Sequence, residues 1–468
     1  MIRITDNASV RTCKGVRRRE FLRIGSLALG GLSLSNLLHA SEAGRSFVKD
    51  KAVVLLFLQG GPTQIETFDP KPNAPVEIRS LTGAIQTKLP GVQFGGTFPK
   101  LAAMADKLAI VHSFASGNAD HQDYMTVGGG GNPTKAPMGS LYARIAGPNA
   151  VPSGMPNNVI LPAEAVKPGL RLPTNFETDS LRKFIAASHN LGANYAFFDP
   201  SGGGELRQNL ELRLPAQRLT DRRGLLDRLD TFRRQADRTG VFENASAYDQ
   251  QAYDLLLRGV SQAFDLSRED PRVVGRYDTS GIFDMTAVQR WGDMHRTSNL
   301  LGKQMLLARR LVEHGCGFVT VMDAGWDMHA NENSPRNLYG LNWLGNQVDH
   351  AVSVFLADVE ARGLSDKILL IVTGEMGRSP RISNNGGRDH WGNLTPLLIA
   401  GGGLKMGQVV GQSDRQAGNP ASERYTPRHL LCTVMETLFN TAEVRLQSEL
   451  PRDVASSASA GTVIRELF

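Results

Sequence analysis

Short, uninterrupted apolar runs constrain the fold of this 468-residue chain more strongly than any other sequence feature. A strand that is apolar at consecutive positions is buried on both faces, as in a parallel sheet covered by helices. The first run ends in Gln-Gly-Gly-Pro, which marks a turn. The runs predict five strands, at Ala52–Leu58, Leu108–His112, Gly317–Met322, Ile368–Thr373 and Thr395–Ala400.

Most of these runs are bordered by helical patterns, for example Arg296–His314 and Leu344–Arg362. Strands that alternate with helices predict an α/β fold, here a three-layer α/β/α sandwich with a mostly parallel central sheet. Residues about 200–290 are rich in Arg, Asp and Leu and contain no buried-strand run. We expect this segment to be a helical insertion in a main domain that spans residues 44–468.

The N-terminus carries an export pattern. Arg18-Arg19 is followed by Phe21-Leu22, then by the uncharged stretch Ile24–Leu38 and the small residues of Ser41-Glu42-Ala43. This order is typical of a cleavable twin-arginine signal, which predicts the twin-arginine translocase as a partner and a periplasmic or secreted location. The stretch is shorter than the roughly 20 apolar residues of a spanning helix, so we expect residues 1–43 to be the signal and the mature chain to lack a membrane span.

The signal also explains the charge of the chain. The formal net charge is +6, from 52 Lys and Arg against 46 Asp and Glu. Residues 1–43 hold seven of the basic and three of the acidic residues, which leaves 45 against 43 in the mature chain. A balance so close to neutral predicts no nucleic-acid partner. Cys316 and Cys432 are too few for a disulfide framework.

Polar residues collect next to the predicted strands. In an open α/β sheet, ligands bind at the carboxyl ends of the strands. The chain contains no His-Glu-x-x-His and no Gly-x-Ser-x-Gly pattern, so neither a zinc protease nor an α/β-hydrolase triad is expected. Candidate residues follow the second, third and fourth strands and precede the fifth: Ser116 and His121; Asp323, Asp327 and His329; Glu375 and Arg378; Arg388 and His390.

Imidazole and carboxylate groups together suit a divalent metal ion. Asp323, Asp327 and His329 lie within seven residues of one another, and His390 is predicted to lie at the same edge of the sheet. Such a mixture of ligands fits Zn²⁺, Mn²⁺ or Ca²⁺, and the identity of the ion stays open. A single loop histidine is often a bystander and a strand-end aspartate often caps the next helix, so the prediction rests on the four residues together.

Several motifs, in order, resemble one family over essentially the whole mature chain. They resemble the exported proteins of domain-of-unknown-function family 1501, whose layout is similar to that of the alkaline phosphatase and sulfatase superfamily. The resemblance implies a metal-dependent esterase site, in which Asp323 or Asp327 with His329 forms one ligand group. It also implies that Glu375 stands where the superfamily has an Asp-His pair and His390 where it has its last histidine. The motifs are Leu58–Gln64 with Phe68–Pro72, Gly325–His329, Gly374–Pro380 and Gly387–Trp391.

These observations predict a metal-dependent hydrolase of sulfate or phosphate esters, with a small molecule or polysaccharide as substrate. The metal ligands would be Asp323, Asp327, His329, Glu375 and His390. His121 would act as general acid or base, because an unperturbed imidazole titrates near neutral pH. Arg378 and Arg388 would hold the oxyanion through planar paired donors, and Ser116, or a water near His121, would be the nucleophile.

An alternative prediction is a scaffold that binds an extracellular polymer or partner protein without turnover. Gln59 stands where the superfamily has a metal-binding Asp, and Met376 is a poor ligand for a hard cation. The positions of the side chains decide between the two predictions.

Overall fold

A central sheet organises the part of the chain that the computed structural model describes. The described residues are 46–121, 126–151, 153–173, 182–184, 189–201, 260–289, 292–328, 340–384 and 386–468. Their strands are β1 Ala52–Gln59, β2 Ala84–Gln86, β3 Gln93–Gly95, β4 Ala109–Val111, β5 Asn158–Leu161, β6 Phe318–Ala324, β7 Ile368–Thr373, β8 Gly377–Arg378, β9 His390–Trp391, β10 Leu397–Gly401 and β11 Gln408–Val410.

Seven of these strands form the central sheet, in the order β11-β4-β10-β7-β1-β6-β5. All eight residues of β1 are buried, and the strand lies between β7 and β6, both parallel to it. The five strands predicted from the sequence are present as β1, β4, β6, β7 and β10. The strands β5 and β11, which the sequence did not predict, form the two edges. The mixed α/β fold with a mostly parallel sheet is therefore confirmed.

The direction of β10 matters for the site. This strand runs antiparallel to both of its neighbours, β7 and β4. Leu397, at its start, pairs with Thr373, at the end of β7. Residues that precede β10 therefore lie at the same edge of the sheet as residues that follow the parallel strands.

Helices cover the sheet. The α-helices of the described residues are α1 Pro99–Ala102, α2 Met138–Ala146, α3 Pro271–Arg276, α4 Met285–Gln289, α5 Leu301–Glu313, α6 Leu341–Ala361, α7 Pro427–Leu438, α8 Thr441–Val444 and α9 Arg452–Ser459. Short 3₁₀ helices span Ala105–Lys107, Ala163–Ala165, His189–Leu191, Ala193–Tyr195, Val260–Phe264, Leu266–Arg268, Gly292–Arg296 and Arg465–Leu467.

The two faces of the sheet pack against different helices. Side chains of α5 and α6 share one hydrophobic core with Val54, Leu56 and Leu58 of β1 and with Val319 of β6. Successive side chains of a strand point to opposite faces, so Phe318 points away from that core. On this second side, a Cβ on Gly139 of α2 would lie 3.0 Å from the Phe318 ring, so the helix approaches closely there. Helices on both faces explain why the central strands are apolar at consecutive positions.

The predicted signal and the predicted helical insertion fall largely outside the described residues. The signal at residues 1–43 lies outside them, as do residues 202–259 of the expected helical insertion. Residues 260–289 of that segment contain α3, α4 and two of the short 3₁₀ helices. Within the described residues, none of the helices combines the length and apolarity needed to cross a bilayer.

Two helical glycines predict opposite effects of the same substitution. A Cβ on Gly302 of α5 would lie 1.6 Å from the Tyr277 carbonyl oxygen, whereas no described atom lies within 4 Å of a Cβ on Gly275 of α3. Gly302→Ala is expected to lower the free energy of unfolding by about 1–3 kcal/mol, because the backbones must separate. Gly275→Ala is expected to raise it by up to about 1 kcal/mol, because alanine favours helix. Urea unfolding of both variants tests the close packing of α5, and equal effects would contradict it.

Candidate metal centre

Two short strands bring a cation and an imidazole to one aspartate. In the β8–β9 pair, Arg378 lies directly opposite His390. The strand β8 follows β7, and β9 precedes β10, which is antiparallel to β7. The pair β8–β9 is therefore connected to one edge of the central sheet. Arg378 Nη2 and His390 Nε2 both contact Asp327 Oδ1, the latter at 3.2 Å. Asp327 itself lies three residues after β6.

His121 completes a group of three that could hold a metal ion. The ligand atoms of His121, Asp327 and His390 all lie within 4.8 Å of one another. His121 Nε2 is 3.6 Å from Asp327 Oδ1, and the two imidazole rings are nearly perpendicular, at 84°. Ligand atoms about 2.0–2.2 Å from an ion in tetrahedral geometry lie roughly 3.3–3.6 Å apart. The separations from Asp327 Oδ1 fit such an ion.

Both histidines are oriented through Nδ1. His121 Nδ1 is 2.9 Å from Glu375 Oε1, and His390 Nδ1 is 2.9 Å from the Ala119 carbonyl oxygen. A carbonyl oxygen and an ionised carboxylate only accept hydrogen bonds, so each Nδ1 carries the hydrogen and donates it. In a neutral imidazole this leaves the lone pair on Nε2, the atom directed at Asp327. This arrangement of Nδ1 on an acceptor is the usual one for metal-binding histidines.

Glu375 is buried behind His121. Its side chain is 1% exposed, and Oε1 accepts hydrogen bonds from His121 and from the Gly60 N–H at 2.8 Å. Its other oxygen, Oε2, is buried and has no hydrogen-bond partner among the described residues. Burial alone would lower the pKa of His121, but hydrogen bonds with Asp327 and Glu375 raise it to about 9. Without a metal ion, the cluster therefore favours a positive charge on His121.

Arg378 fixes the Asp327 carboxylate. Its side chain is 1% exposed and contacts the carbonyl oxygens of Gly60 and Gly61, the latter from Nε at 2.8 Å. Gly61 has φ +91°, and a Cβ there would lie 2.8 Å from Met376 Cγ, so the turn after β1 requires glycine. The donors of Arg378 are directed at protein oxygens, and its predicted contact with a substrate oxyanion stays a prediction.

Arg388 is buried in an ion pair with Glu66. Both Arg388 and Glu66 are 0% exposed, and Arg388 Nη2 donates to Glu66 Oε1 at 2.8 Å. The same nitrogen also donates to the Ile78 carbonyl oxygen at 2.8 Å. Burial lowers the pKa of Arg388. The guanidinium is enclosed by protein groups, which supports a structural role, and its predicted contact with a substrate oxyanion stays a prediction.

Two other predicted residues that the structure describes, Asp323 and Ser116, are not members of the group of three. Asp323 is buried, with Oδ2 accepting a hydrogen bond from Trp326 Nε1 at 2.8 Å, and burial raises its pKa to about 7. Gln347 Nε2 is 3.4 Å from its other oxygen. Ser116 is buried and donates from Oγ to the Asn118 carbonyl oxygen at 3.1 Å. His329 lies outside the described residues, so its predicted role as a ligand stays a prediction.

Two residues have contacts that differ from those expected for their predicted roles, which stay predictions. His121, expected as an acid or base, contributes a ligand atom to the group of three. Glu375, expected as a ligand, contacts His121 through Oε1. Both residues were candidates because each follows a predicted strand. The number of residues between them does not show which of them would bind an ion and which would be hydrogen-bonded to the residue that does.

Some solved structures are similar to the chain at low sequence identity. PsFucS1 sulfatase from Pseudoalteromonas sp. is 12% identical, with 97% of this chain and 80% of that chain covered and a TM-score of 0.35. Ps i-CgsB, in complex with k-i-k-neocarrahexaose, is 9% identical over 88% and 75% of the two chains, with a TM-score of 0.34. The phosphonate monoester hydrolase SpPMH from Silicibacter pomeroyi is 13% identical over 83% and 73%, with a TM-score of 0.28.

Sequence comparison gives a more direct result. No curated protein matches the chain. One family model, described as "Protein of unknown function (DUF1501)", matches residues 50–468, which is nearly the whole chain and includes every described residue of the candidate metal centre. This match confirms the resemblance noted in the motifs. The chain belongs to the DUF1501 family.

Proposed function

We propose that this protein is an exported, metal-dependent hydrolase of sulfate or phosphate esters, with one divalent ion bound by His121, Asp327 and His390. The observation that supports it most is the convergence of two imidazole Nε2 atoms on one carboxylate oxygen, with each Nδ1 held by an acceptor. With both imidazoles neutral, two nitrogen lone pairs and a carboxylate oxygen face one another, an arrangement that a divalent ion would stabilise. The Glu375 carboxylate, 2.9 Å from His121 Nδ1, adds negative charge behind this imidazole.

The exposure of the four side chains indicates how an ester would approach. The side chains of His390 and His121 are 28% and 17% exposed, whereas those of Asp327 and Glu375 are 3% and 1% exposed. A substrate would therefore reach the centre from the side of the histidines. When bound, a divalent ion supplies a Lewis acid that polarises an ester oxygen or lowers the pKa of a water.

The chain's own residues would hold this centre rigid. Arg378 keeps the Asp327 carboxylate in place and neutralises part of its charge. The Gly60 N–H fixes Glu375, which in turn orients His121. Ser116 Oγ is hydrogen-bonded to a backbone carbonyl, so we propose water as the nucleophile.

The site of action follows from the N-terminal pattern. We propose that residues 1–43 direct the folded chain through the twin-arginine route, so hydrolysis takes place in the periplasm or outside the cell. This route exports folded proteins, which would allow the ion to be bound before export.

The second candidate function is a non-catalytic binding scaffold. One observation favours it: Arg378 already places a fixed positive charge on Asp327, the carboxylate that the metal ion would need. In that case His121 would stay protonated between Asp327 and Glu375, and the cluster would be a closed ionic network.

Metal removal combined with an ester panel tests the proposal. The exported protein is treated with dipicolinate and then given Zn²⁺, Mn²⁺ or Ca²⁺, with 4-nitrophenyl sulfate, 4-nitrophenyl phosphate and a 4-nitrophenyl phosphonate as substrates. Hydrolysis of at least one ester class should need about one equivalent of metal and disappear with chelator. Stoichiometric metal without turnover of any ester would support the scaffold, and absence of both would contradict the metal centre.

A further inference from the structure

The ligand atoms themselves narrow the choice of ion. Two of the three atoms in the group are imidazole nitrogens, from His121 and His390, and Asp327 supplies the carboxylate oxygen. Ca²⁺ takes six to eight oxygen ligands, and Mg²⁺ takes an octahedron of oxygens. Imidazole nitrogens with a carboxylate suit Zn²⁺ and related transition-metal ions instead.

The nearby carboxylates do not add oxygens to the group. Asp323 is hydrogen-bonded to Trp326 and lies within 3.4 Å of Gln347 Nε2. Glu375 directs Oε1 to His121 and the Gly60 N–H. Within the described residues, no other His, Cys, Asp or Glu joins His121, Asp327 and His390 in the group.

Glu375 has the geometry of a positioning residue. Its Oε1 accepts the Nδ1 hydrogen of His121 at 2.9 Å, while His121 Nε2 is directed to Asp327. A carboxylate behind a metal-binding histidine fixes the tautomer, aims the lone pair and makes the nitrogen more basic. His390 receives the same orientation from a neutral group, the Ala119 carbonyl. Loss of the charge on Glu375 should therefore weaken the bond of one histidine and leave the other unchanged.

We propose that this centre selects a transition-metal ion of the Zn²⁺ kind over Ca²⁺ and Mg²⁺, and that Glu375 positions His121 without binding the ion. The inference rests on the metal centre of the proposed function, but it does not require ester hydrolysis. Of the three ions that the sequence left open, Ca²⁺ is then excluded. Glu375, which the sequence predicted as a metal ligand, is then a positioning residue.

Competition between ions tests the first half. Metal-stripped protein is titrated with Co²⁺, whose visible absorption reports the number and type of ligands, and then with Zn²⁺. One equivalent of Co²⁺ should give a d–d spectrum of low coordination number, and Zn²⁺ should displace it. Millimolar Ca²⁺ or Mg²⁺ should leave the spectrum unchanged. Displacement of Co²⁺ by Ca²⁺, or binding of Ca²⁺ alone with one equivalent, would overturn the proposed selectivity.

Substitution of Glu375 tests the second half. Glu375→Gln keeps an oxygen that accepts from His121 and the Gly60 N–H but removes the charge. Its Zn²⁺ affinity should fall by about 10–100-fold, as is usual for outer groups of metal sites, and the Co²⁺ spectrum should keep its shape. Asp349→Asn is the matched control. Asp349 lies on α6, its carboxylate is also buried, and it accepts a hydrogen bond from the Leu101 N–H at 2.8 Å. It should leave the affinity for Zn²⁺ unchanged.

Three outcomes would contradict the assignment of residues. Complete loss of binding in Glu375→Gln, with a changed Co²⁺ spectrum in any residual complex, would make Glu375 a ligand. Loss of binding in Asp323→Asn would place the ion elsewhere. Unchanged Zn²⁺ affinity in Glu375→Gln would remove its positioning role. A protein that binds Zn²⁺ as described but hydrolyses no ester would leave this inference intact and contradict the proposed function alone.

Discussion

His390→Ala is expected to lower the affinity for Zn²⁺ by at least about 100-fold, beyond the usual effect of removing an outer group of a metal site. His390 supplies one of three ligand atoms in the group, and its Nε2 lies 3.2 Å from Asp327 Oδ1. Its side chain is 28% exposed, so its removal should disturb the core little. Any ester hydrolysis should fall in parallel with metal occupancy.

The measurement is chelator competition on the purified variant, with a thermal unfolding curve to show that the chain is folded. His112→Ala is the matched control, because His112 is also half-buried and its Nε2 lies 3.0 Å from a carbonyl oxygen, that of Phe68. It should keep the metal affinity of the unsubstituted protein. Equal affinities in the two variants would show that His390 does not bind the ion.

Arg388→Met is expected to lower the free energy of unfolding by about 3–5 kcal/mol, the usual cost of removing one partner from a buried ion pair. Glu66 and Arg388 are both 0% exposed, and Glu66 also accepts a hydrogen bond from Ser80 Oγ at 2.6 Å. Without the guanidinium, the Glu66 carboxylate would remain buried with its charge uncompensated. The backbone N–H of Arg388, which the substitution keeps, donates to the Met328 carbonyl oxygen next to Asp327, so the change should act mainly through the buried ion pair.

Urea unfolding measures this effect. Arg381→Met is the control, because Arg381 and Glu77 form an exposed pair with atoms 3.9 Å apart, and exposed pairs contribute about 0–1 kcal/mol. The double variant Glu66→Gln/Arg388→Met should recover part of the loss, since no buried charge is then left alone. A change below about 1 kcal/mol in Arg388→Met, with weaker binding of an anionic ester, would instead support the oxyanion role expected from the sequence.

The strands of the sheet could be predicted because burial on both faces leaves a continuous apolar run. Such a run is plain in β1, where all eight residues are buried. The apolar runs in the edge strands β5 and β11 have only three and two residues, Val159–Leu161 and Val409-Val410, which are shorter than the four-residue run Leu108–Val111 that marks β4. The direction of β10 could not be predicted either, because pairing with β4 and β7 depends on residues distant in sequence.

The antiparallel direction of β10 explains why His390 lies at the edge of the sheet that was predicted for it. In open α/β sheets, binding residues follow parallel strands, but His390 precedes its strand. Had β10 been parallel, His390 would lie at the opposite edge of the sheet. The antiparallel pairing of Leu397 with Thr373 brings it to the end of β7, next to Glu375.

The roles of the charged residues at the site depend on partners that the sequence does not reveal. Arg378 and Arg388 carry the same group and lie ten residues apart, yet one contacts Asp327 and the other Glu66. Around His121, Glu375 lies next to Nδ1 and Asp327 lies nearer to Nε2. Residue type and spacing predicted that these residues lie at one edge of the sheet, and side-chain packing decides which of them face one another.

Anomalous X-ray diffraction at the Zn absorption edge, from crystals of protein loaded with one equivalent of Zn²⁺, tests the metal centre most directly. We expect one anomalous peak within about 2.0–2.2 Å of His121 Nε2, His390 Nε2 and an oxygen of Asp327, with Glu375 hydrogen-bonded to His121 Nδ1. A map with no peak at this position, and with His121 hydrogen-bonded to both Asp327 and Glu375, would contradict the account.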